Sequence, residues 1–345
     1  MKKIILTILT PLLLLAVEKP LKELTKIEKS TVEKAHSNGM KGFPNNKKEF
    51  LALLENQDNK ITPLKYALGK ALYFDPRLSK SQLISCNTCH NLSLGGVDGV
   101  SAAIGHKWAK NPSHLNSPTV YNAVLAESQF WDGRVKTLEE QAIGPIQAEP
   151  EMFASKEYIK EFINNTPVYL ENFRKIKKDK NYVPDIQDVG DVIAIFERAL
   201  VTPSRYDDLL NKNTNALTKK ELKGLNTFID KGCTSCHNGY ALGGGMQTFP
   251  LIGKYKYQKF GNYTGKNGMI KVPTLRNVLI TAPYFHNGKV NTIEEAIEIM
   301  GETQLGTKLT SEEVSDIKEF FKSLNGIKPG FKMPLLPETN MKLNY

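Results

Sequence analysis

The sequence predicts a mainly α-helical protein built from two similar domains with long ordered loops. Three observations predict it: helix-start signals recur along the chain, one cysteine–histidine pattern occurs twice, and two longer segments repeat at a constant spacing. The 345 residues are enough for about two domains. The 40% hydrophobic and 24% charged residues are ordinary for a globular protein, which excludes disordered, fibrous and multi-span membrane proteins.

The first residues have the pattern of an export signal. Lys2 and Lys3 precede an apolar run over residues 4–17, which is shorter than the roughly 20 residues of a membrane span. We expect residues 1–17 to be a signal peptide or, since no clean cleavage site follows, an uncleaved membrane anchor. The protein is then periplasmic. Residues 18–48, rich in Lys and Glu, are predicted to form a solvated linker with some helix.

Helix starts are marked along the rest of the chain. Apolar residues at helical spacing follow Pro63, which suits the first position of a helix. Capping boxes, in which a Thr precedes a Glu by three residues, predict four more starts, at Thr137–Glu140, Thr218–Glu221, Thr292–Glu295 and Thr310–Glu313. Alternation typical of strands is scarce. The Gly-, Pro- and Asn-rich stretches 91–118 and 238–273 are predicted to be ordered loops around a large apolar cofactor.

The chain repeats itself. Segments 118–122 and 130–140 reappear at 273–277 and 285–295, both with an offset of 155 residues. A constant offset indicates a duplicated module. We place the first domain at residues 49–212 and the second at residues 213–345, and we expect the C-terminal tail to pack back onto the first domain.

All four cysteines fall in two Cys-x-x-Cys-His motifs, Cys86–His90 and Cys233–His237. This is the attachment signature of c-type haem: the thiols bond to the ring's vinyl groups and the histidine ligates the iron. A zinc ribbon would place its second cysteine pair about 15–20 residues away, and a redox dithiol needs neither the histidine nor a second copy. Each half is therefore predicted to be a cytochrome c-like domain that binds one covalent haem c.

The sixth iron ligands distinguish the two sites. The candidates for the second haem are Met246, Met269 and Met300, of which Met300 follows a capped helix. The repeat aligns position 300 with Pro145, which cannot bind iron. The first iron is therefore open or takes a ligand from elsewhere.

The histidine candidates for the first iron are His36, His106 and His114. His106 follows a glycine in the loop predicted to cover the haem, whereas His36 and His114 are expected at the surface. One permanently closed haem beside one closable haem is an arrangement that suits an enzyme, because an electron store then lies next to a reactive iron.

The excess of basic residues does not indicate nucleic-acid binding. Lys and Arg number 46 against 36 Asp and Glu, a net charge of +10, but the lysines are scattered and no basic stripe with interleaved aromatics is present. A basic face for an acidic protein partner is the better interpretation.

Over roughly residues 50–330 the chain resembles the bacterial di-haem cytochrome c peroxidases. The motifs that carry the resemblance are Leu72-Tyr-Phe-Asp75-Pro-Arg77, Ser85-Cys-Asn-Thr-Cys-His-Asn-Leu92, Gly95-Gly-Val-Asp98, Gly105-His106, Asn116-Ser-Pro-Thr-Val120, Phe130-Trp-Asp-Gly-Arg134, Glu140-Gln-Ala142, Thr281-Ala-Pro-Tyr-Phe-His286, and Met300 with Gln304-Leu-Gly306.

The resemblance implies a role for each haem ligand. His90 would be the proximal ligand of a low-potential, peroxidatic haem, with His106 as its detachable sixth ligand. His237 and Met300 would ligate a high-potential haem that accepts electrons. Reduction of the second haem would release His106 from the first iron.

The resemblance also implies the residues that act between and beside the haems. Trp131 would lie on the electron route. Gln141 and Glu151 match a pair in the peroxide pocket, with the glutamate as acid/base, and Glu149 is a nearby rival that the sequence leaves open. Asn116, Thr281 and Pro283 match the ligands of an interdomain calcium, a hard cation that suits amide and carbonyl oxygens. The implied partners are hydrogen peroxide, a small mono-haem cytochrome c as electron donor, and a second copy of the chain in a homodimer.

Two other functions remain open on the sequence. A di-haem electron-transfer cytochrome without catalysis would keep both irons six-coordinate. A related class of di-haem enzymes oxidises tryptophans of a partner protein and carries a Tyr where this chain has Met300. Met300 argues against that class, while Tyr263 and Tyr284 keep it in view.

Overall fold

Helices dominate the computed structural model, which describes residues 24–213, 215–261, 268–330 and 332–342. Within those ranges the only sheet is a two-stranded antiparallel pair, in which Gln247 lies opposite Ile270. The strands are β1 (Met246–Thr248) and β2 (Met269–Lys271). The helices are α1 (Lys26–Ser37), α2 (Lys47–Leu54), α3 (Pro63–Tyr73), α4 (Cys86–Cys89), α5 (Leu138–Gln147), α6 (Lys156–Asn164), α7 (Pro167–Lys177), α8 (Ile186–Arg198), α9 (Arg205–Leu210), α10 (Lys219–Asp230), α11 (Ile293–Gln304) and α12 (Ser311–Ser323).

The predicted helix starts are confirmed. Thr137, Thr218 and Thr310 each form the complete capping box, and the Thr292 hydroxyl accepts a hydrogen bond from the Glu295 N–H. Each cap satisfies backbone N–H groups that the first helical turn leaves without partners. None of the described helices is long and apolar enough to cross a membrane. The expected signal or anchor, residues 1–17, lies outside the described residues.

Each half of the chain is organised around one helix crossing. In the first half α3 packs on α8, and a Cβ added to Gly69 of α3 would lie 1.8 Å from the Val192 carbonyl oxygen. In the second half α10 packs on α12, and a Cβ on Gly224 would lie 1.9 Å from the Asp316 oxygen. Only glycine permits such close backbone approach. The two glycines are separated by the same 155 residues as the repeated segments, so the duplication extends to the helix crossings.

The two halves have separate hydrophobic cores. The first core joins α3, α5, α6 and α8 and includes Leu72, Ile146, Phe162 and Phe196. The second core joins α10, α11 and α12 and also contains residues from α1 and α9. The mainly α-helical fold with two cytochrome c-like halves is therefore the one that the sequence predicts.

The prediction of a solvated linker over residues 18–48 is wrong for its described part. Val32 and Ala35 of α1 and the following Met40 are buried in the second core. The Thr31 hydroxyl accepts a hydrogen bond from Asn226 Nδ2 at 2.9 Å. The Lys- and Glu-rich sequence thus covers only one face of an amphipathic helix. The expected boundary at residue 213 also moves, because Tyr206 and neighbouring residues of α9 already belong to the second core.

A buried ion pair connects the N-terminal segment, α9 and the second half. Arg276, which is fully buried, donates to both carboxylate oxygens of Asp207 at 2.6 and 2.9 Å and to the Tyr240 carbonyl oxygen at 2.6 Å. The Asp207 carboxylate also accepts hydrogen bonds from the backbone N–H groups of Phe43 and Ser204, at 2.8 and 2.7 Å. Both charges are therefore paired and hydrogen-bonded.

The C-terminal segment lies against the first half. Arg77 Nη1 donates to the Pro337 carbonyl oxygen at 2.9 Å, and the Asn340 N–H donates to the Asn165 oxygen at 2.8 Å. Met341 packs against the first core. The tail therefore joins the two halves at the end of the chain.

Replacing Arg276 tests the buried ion pair. We expect Arg276→Met to lower the free energy of unfolding by about 3–5 kcal/mol, because the Asp207 charge stays buried without its partner. Lys175→Met, which breaks an exposed pair with Glu171, is the control and should cost about 0.5 kcal/mol or less. Denaturant unfolding of the haem-loaded protein, followed by circular dichroism, measures both. Equal losses of unfolding free energy in the two variants would contradict a special contribution of the buried Arg276–Asp207 pair.

Candidate active site and haem pockets

The second Cys-x-x-Cys-His motif opens onto a large cavity. Cys233, Cys236 and His237 line this cavity, and so does Met300 of α11. The cysteines lie on a 3-10 turn directly after α10, and the His237 N–H donates to the Cys233 oxygen at 3.0 Å. The remaining lining is mostly apolar. Two thiols, an imidazole and a thioether around one apolar space fit a covalent haem with His and Met ligands.

Both motif histidines are oriented for iron by a backbone carbonyl. Nδ1 of His90 lies 2.9 Å from the Pro118 oxygen, and Nδ1 of His237 lies 3.0 Å from the Leu242 oxygen. A carbonyl partner places the ring proton on Nδ1 and leaves Nε2 free to bind a metal. Burial lowers the pKa of both imidazoles, so both are neutral near pH 7. Both residues fit the role of proximal ligand.

The thiols do not have the chemistry of a redox pair. All four cysteines are free, and burial raises the pKa of Cys89 and of Cys233 to about 12. A redox-active dithiol needs the opposite shift, because the thiolate is the reactive species. In the part of the chain that the structure describes, no three His, Cys, Asp or Glu side chains are grouped to hold a metal ion, which also disfavours a zinc site.

His106 lies on a short hairpin over residues 104–110, in which Ile104 pairs with Lys110. We call this segment the His106 hairpin. The His106 N–H donates to the Glu151 carbonyl oxygen at 2.7 Å, and its ring contacts Phe153 edge-on at 5.2 Å between centroids. Its Nδ1 is buried without a hydrogen-bond partner among the described residues. Among the described residues, Nδ1 therefore has no hydrogen bond that fixes the ring, which is held by its contact with Phe153.

The His106 hairpin packs directly on the segment that carries the predicted acid/base. A Cβ added to Gly105 would lie 2.1 Å from the Pro150 oxygen, so the two backbones are in contact. Glu151 is half-buried and Glu149 is exposed. Burial raises the pKa of Glu151, and the charge of Arg134 opposes that shift. These surroundings favour Glu151 over Glu149 as the predicted acid/base.

Gln141, the other predicted residue of the peroxide pocket, lies on α5 and is half-buried. Its backbone N–H donates to the Thr137 oxygen at 3.1 Å within the helix. The described residues include no hydrogen bond between Gln141 and Glu151. The pairing of these two side chains stays a prediction.

Trp131 is buried at the junction of the two halves. Its Nε1 donates to the Asn116 carbonyl oxygen at 2.9 Å, and its own carbonyl accepts from the Lys271 N–H at 2.7 Å. Its ring meets the His286 ring at 6.3 Å in a T-shaped contact. The repeat aligns Trp131 with His286, so equivalent residues of the two halves contact each other.

The three predicted calcium ligands line the same cavity as His237. Asn116 Nδ2 lies 2.7 Å from the Pro283 oxygen and 3.1 Å from the Phe285 oxygen. The Thr281 hydroxyl donates to the Val278 oxygen at 3.2 Å. Asn116 and Pro283 are thus brought together, and no hydrogen bond joins Thr281 to Asn116 among the described residues.

Comparison with known proteins agrees with this geometry. The family model for di-haem cytochrome c peroxidase matches residues 63–215. The chain is 45% identical to cytochrome c551 peroxidase of Nitrosomonas europaea, covering 79% of this chain and 83% of the relative. It is 42% identical to the cytochrome c551 peroxidase of Pseudomonas aeruginosa, covering 78% and 81%. The chain belongs to the di-haem cytochrome c peroxidases.

More distant relatives share the fold of this peroxidase. The methylamine utilization protein MauG of Methylorubrum extorquens is 30% identical over 81% of this chain and 83% of its own. A solved structure of a MauG-like protein associated with microbial copper homeostasis has a TM-score of 0.68 and 25% identity, covering 79% of this chain and 92% of that one. The predicted fold and enzyme class are confirmed, and membership of a di-haem family implies two haem c groups.

Sequence reasoning missed a buried acid in the first half of the peroxidase. Glu197 of α8 is 5% exposed, and its Oε2 has no hydrogen-bond partner among the described residues. Burial raises its pKa to about 8, so the carboxyl is protonated at neutral pH. Cys86 and Tyr73 lie within its electrostatic range, and its carboxylate form would raise the pKa of both. The one sequence signal that could have indicated this burial is the position of Glu197 after a run of apolar residues in α8.

Glu197 should make the stability of the protein depend on pH. Its pKa is higher in the folded than in the unfolded chain, so stability is present at low pH and is lost as pH rises towards 8. Between pH 5 and pH 9 the loss should be on the order of 4 kcal/mol. We expect Glu197→Gln to remove this part of the pH dependence.

Denaturant unfolding of the haem-loaded protein at pH 5 and pH 9 measures the effect. Glu171→Gln, at an exposed position of α7, is the control and should keep the pH dependence of the unchanged protein. If Glu197→Gln also keeps it, the carboxyl is not held protonated by burial.

Proposed function

We propose that this protein reduces hydrogen peroxide to water with two electrons from a small c-type cytochrome. The observation that carries the proposal is the asymmetry of the two sites. His237 and Met300 line one cavity, whereas His90 shares its half with a histidine on a hairpin. Family membership supports the same reaction, since the relatives are named cytochrome c peroxidases. When bound, the haems supply electron storage and the iron chemistry that cleaves the O–O bond.

His106 is proposed to open and close the peroxide site. Lys107 and Trp108 adopt left-handed backbone conformations, both with φ of 57°. Such conformations cost on the order of 1 kcal/mol or more each for residues other than glycine. The hairpin is thus strained at the two residues that follow His106, and release of the imidazole gives peroxide access.

Glu151 and Trp131 have separate roles in the proposal. The Glu151 carboxylate takes the proton from the first peroxide oxygen and returns it to the second, so that water leaves. Two electrons and two further protons complete the conversion of one peroxide to two waters. Trp131, fixed by Asn116 and packed on His286, lies on the path between the two halves.

Removing His106 tests its gating role. We expect His106→Gly to react with peroxide without prior reduction, because no side chain then closes the first site. Stopped-flow absorption after peroxide addition to the oxidised and the half-reduced protein measures this reaction.

His114→Gly is the matched control, because it makes the same change on the same loop, at a residue whose φ of 52° glycine accepts without strain. It should keep the dependence on prior reduction. If His106→Gly still needs prior reduction, His106 does not gate the site. If neither variant reacts with peroxide in any state, the chain is an electron-relay cytochrome.

We also propose a calcium ion between the halves, held by Asn116, Thr281 and Pro283. All three line the cavity at the domain junction, and Asn116 already contacts the Pro283 oxygen. Rotating the amide by 180° would place Oδ1 beside that oxygen, an arrangement that a hard cation stabilises.

Asn116→Ala should therefore bind less calcium. We expect one calcium per chain in the haem-loaded protein and at least tenfold weaker binding in the variant, measured by isothermal titration after chelation. Asn111→Ala, at another buried asparagine of this loop, should leave the affinity unchanged. A chelated protein that takes up no calcium would refute the site.

Two further parts of the proposal concern location and assembly. The Lys2-Lys3 and apolar pattern of residues 1–17 supports export to the periplasm, with or without a retained anchor. The resemblance to the family supports a homodimer. Fractionation of cells and light scattering of the purified protein test these two points.

A further inference from the structure

Lys271 is a buried lysine that forms no ion pair with the described residues. It ends β2 and is 9% exposed. In the described part of the chain its Nζ has no hydrogen bond or ion pair. Asp132 is the carboxylate within its electrostatic range, but Asp132 already pairs with Arg134 at 2.9 Å. A buried ammonium group is costly unless an anion compensates it.

The position of Lys271 is fixed by its backbone. Its N–H donates to the Trp131 carbonyl oxygen at 2.7 Å, and it pairs with Met246 across the short sheet. The residue lines the cavity that His237 and Met300 also line. Among the described residues around this cavity, Lys271 is the only Lys or Arg, and no Asp or Glu lines it. The cavity therefore offers one cation and no carboxylate of its own.

A haem fits this arrangement because its ring carries two propionate carboxylates on one edge. The apolar lining suits the ring, and a propionate would supply the anion that the protein does not. Burial lowers the pKa of Lys271 to about 8, which still leaves the amine mostly protonated near pH 7. The nearby His286 is neutral at that pH, since burial lowers its pKa to about 4.

The repeat places no cation at the equivalent position of the first half, although the Lys271 charge reaches His90, whose pKa burial chiefly lowers and this charge lowers further. Position 271 aligns with Asn116 at the offset of 155 residues. Both residues contact Trp131, Asn116 through its carbonyl oxygen and Lys271 through its N–H. The Asn116 side chain is neutral and is occupied by the Pro283 and Phe285 oxygens. The second half thus has a buried positive charge where the first has an amide.

We propose that Lys271 binds a propionate of the haem held by His237 and Met300, and that its charge raises the midpoint potential of that haem. The inference rests on the two-haem peroxidase proposed above and adds a residue that sets which haem is reduced first. A positive charge nearby stabilises the reduced state, which carries one more electron. Lys271 therefore acts with Met300 to make this haem the electron-accepting one.

Redox potentiometry of the haem-loaded protein, with each haem followed by its own absorption bands, tests the role of Lys271. We expect Lys271→Met to make reduction of the Met300-side haem about tenfold less favourable, which is 59 mV for a one-electron couple. Lys271→Arg, which keeps the charge, should restore most of the shift. Lys308→Met removes the same charge from an exposed site of this half and should leave the potential unchanged.

Two results would overturn the proposal: an unchanged potential in Lys271→Met, or a shift confined to the haem on His90. Lys271→Gln is measured in parallel, because it keeps a hydrogen-bond donor if the methionine variant fails to fold. The propionate bending band in resonance Raman spectra should move in both neutral variants and stay in place in Lys271→Arg; an unmoved band also refutes the contact. Peroxide turnover is not a readout here, so failure of this inference is distinct from failure of the proposed function.

Discussion

The rest of the structure depends on an apolar cavity beside a pair of crossed helices. A Cys-x-x-Cys-His turn lines this cavity. In the second half that space is lined by two thiols, an imidazole and a thioether. A cavity of this kind inside a small helical domain removes much of the core that the helices would otherwise share. A haem held by these residues would fill the space and complete the core, and the loops that line the cavity would then pack against it. The glycine crossings at Gly69 and Gly224 allow the helices to pack closely.

Duplication followed by divergence explains how one chain provides two different sites. The repeat keeps the capped helix that begins after Thr137 and after Thr292, but Pro145 stands where the second half has Met300. It keeps the position beside Trp131, with Asn116 in one half and Lys271 in the other. It keeps the backbone around Trp131 and His286, where Phe130 and Phe285 both have a φ of 64°, while changing the aromatic ring. Each change alters a side chain that we propose to act in ligation, charge or electron transfer and leaves the fold intact.

The sequence predicted those features that are governed by local chemistry. Capping boxes located helix starts because the Thr and Glu side chains satisfy backbone groups within one turn. The haem motifs were recognisable because the thiols and histidine act from adjacent positions. Features that depend on distant contacts were missed or misjudged. The role of α1 depends on a surface supplied by α10, almost 200 residues away. Glu197 is buried because one face of α8 turns towards the core, and Lys271 is buried because the short strand β2 lies against Trp131. Neither orientation can be deduced from the few residues around each charge.

The central claim is that the two haem sites differ, one being closed by His237 and Met300 and the other opened by reduction. The most direct test is electron paramagnetic resonance of the haem-loaded protein in the oxidised and the half-reduced state. We predict two low-spin ferric signals in the oxidised protein. Half-reduction should remove the signal of the His237 site and convert that of the His90 site to high spin, in a form that peroxide then consumes. A His90 signal that stays low-spin after half-reduction and is unaffected by peroxide would contradict the account.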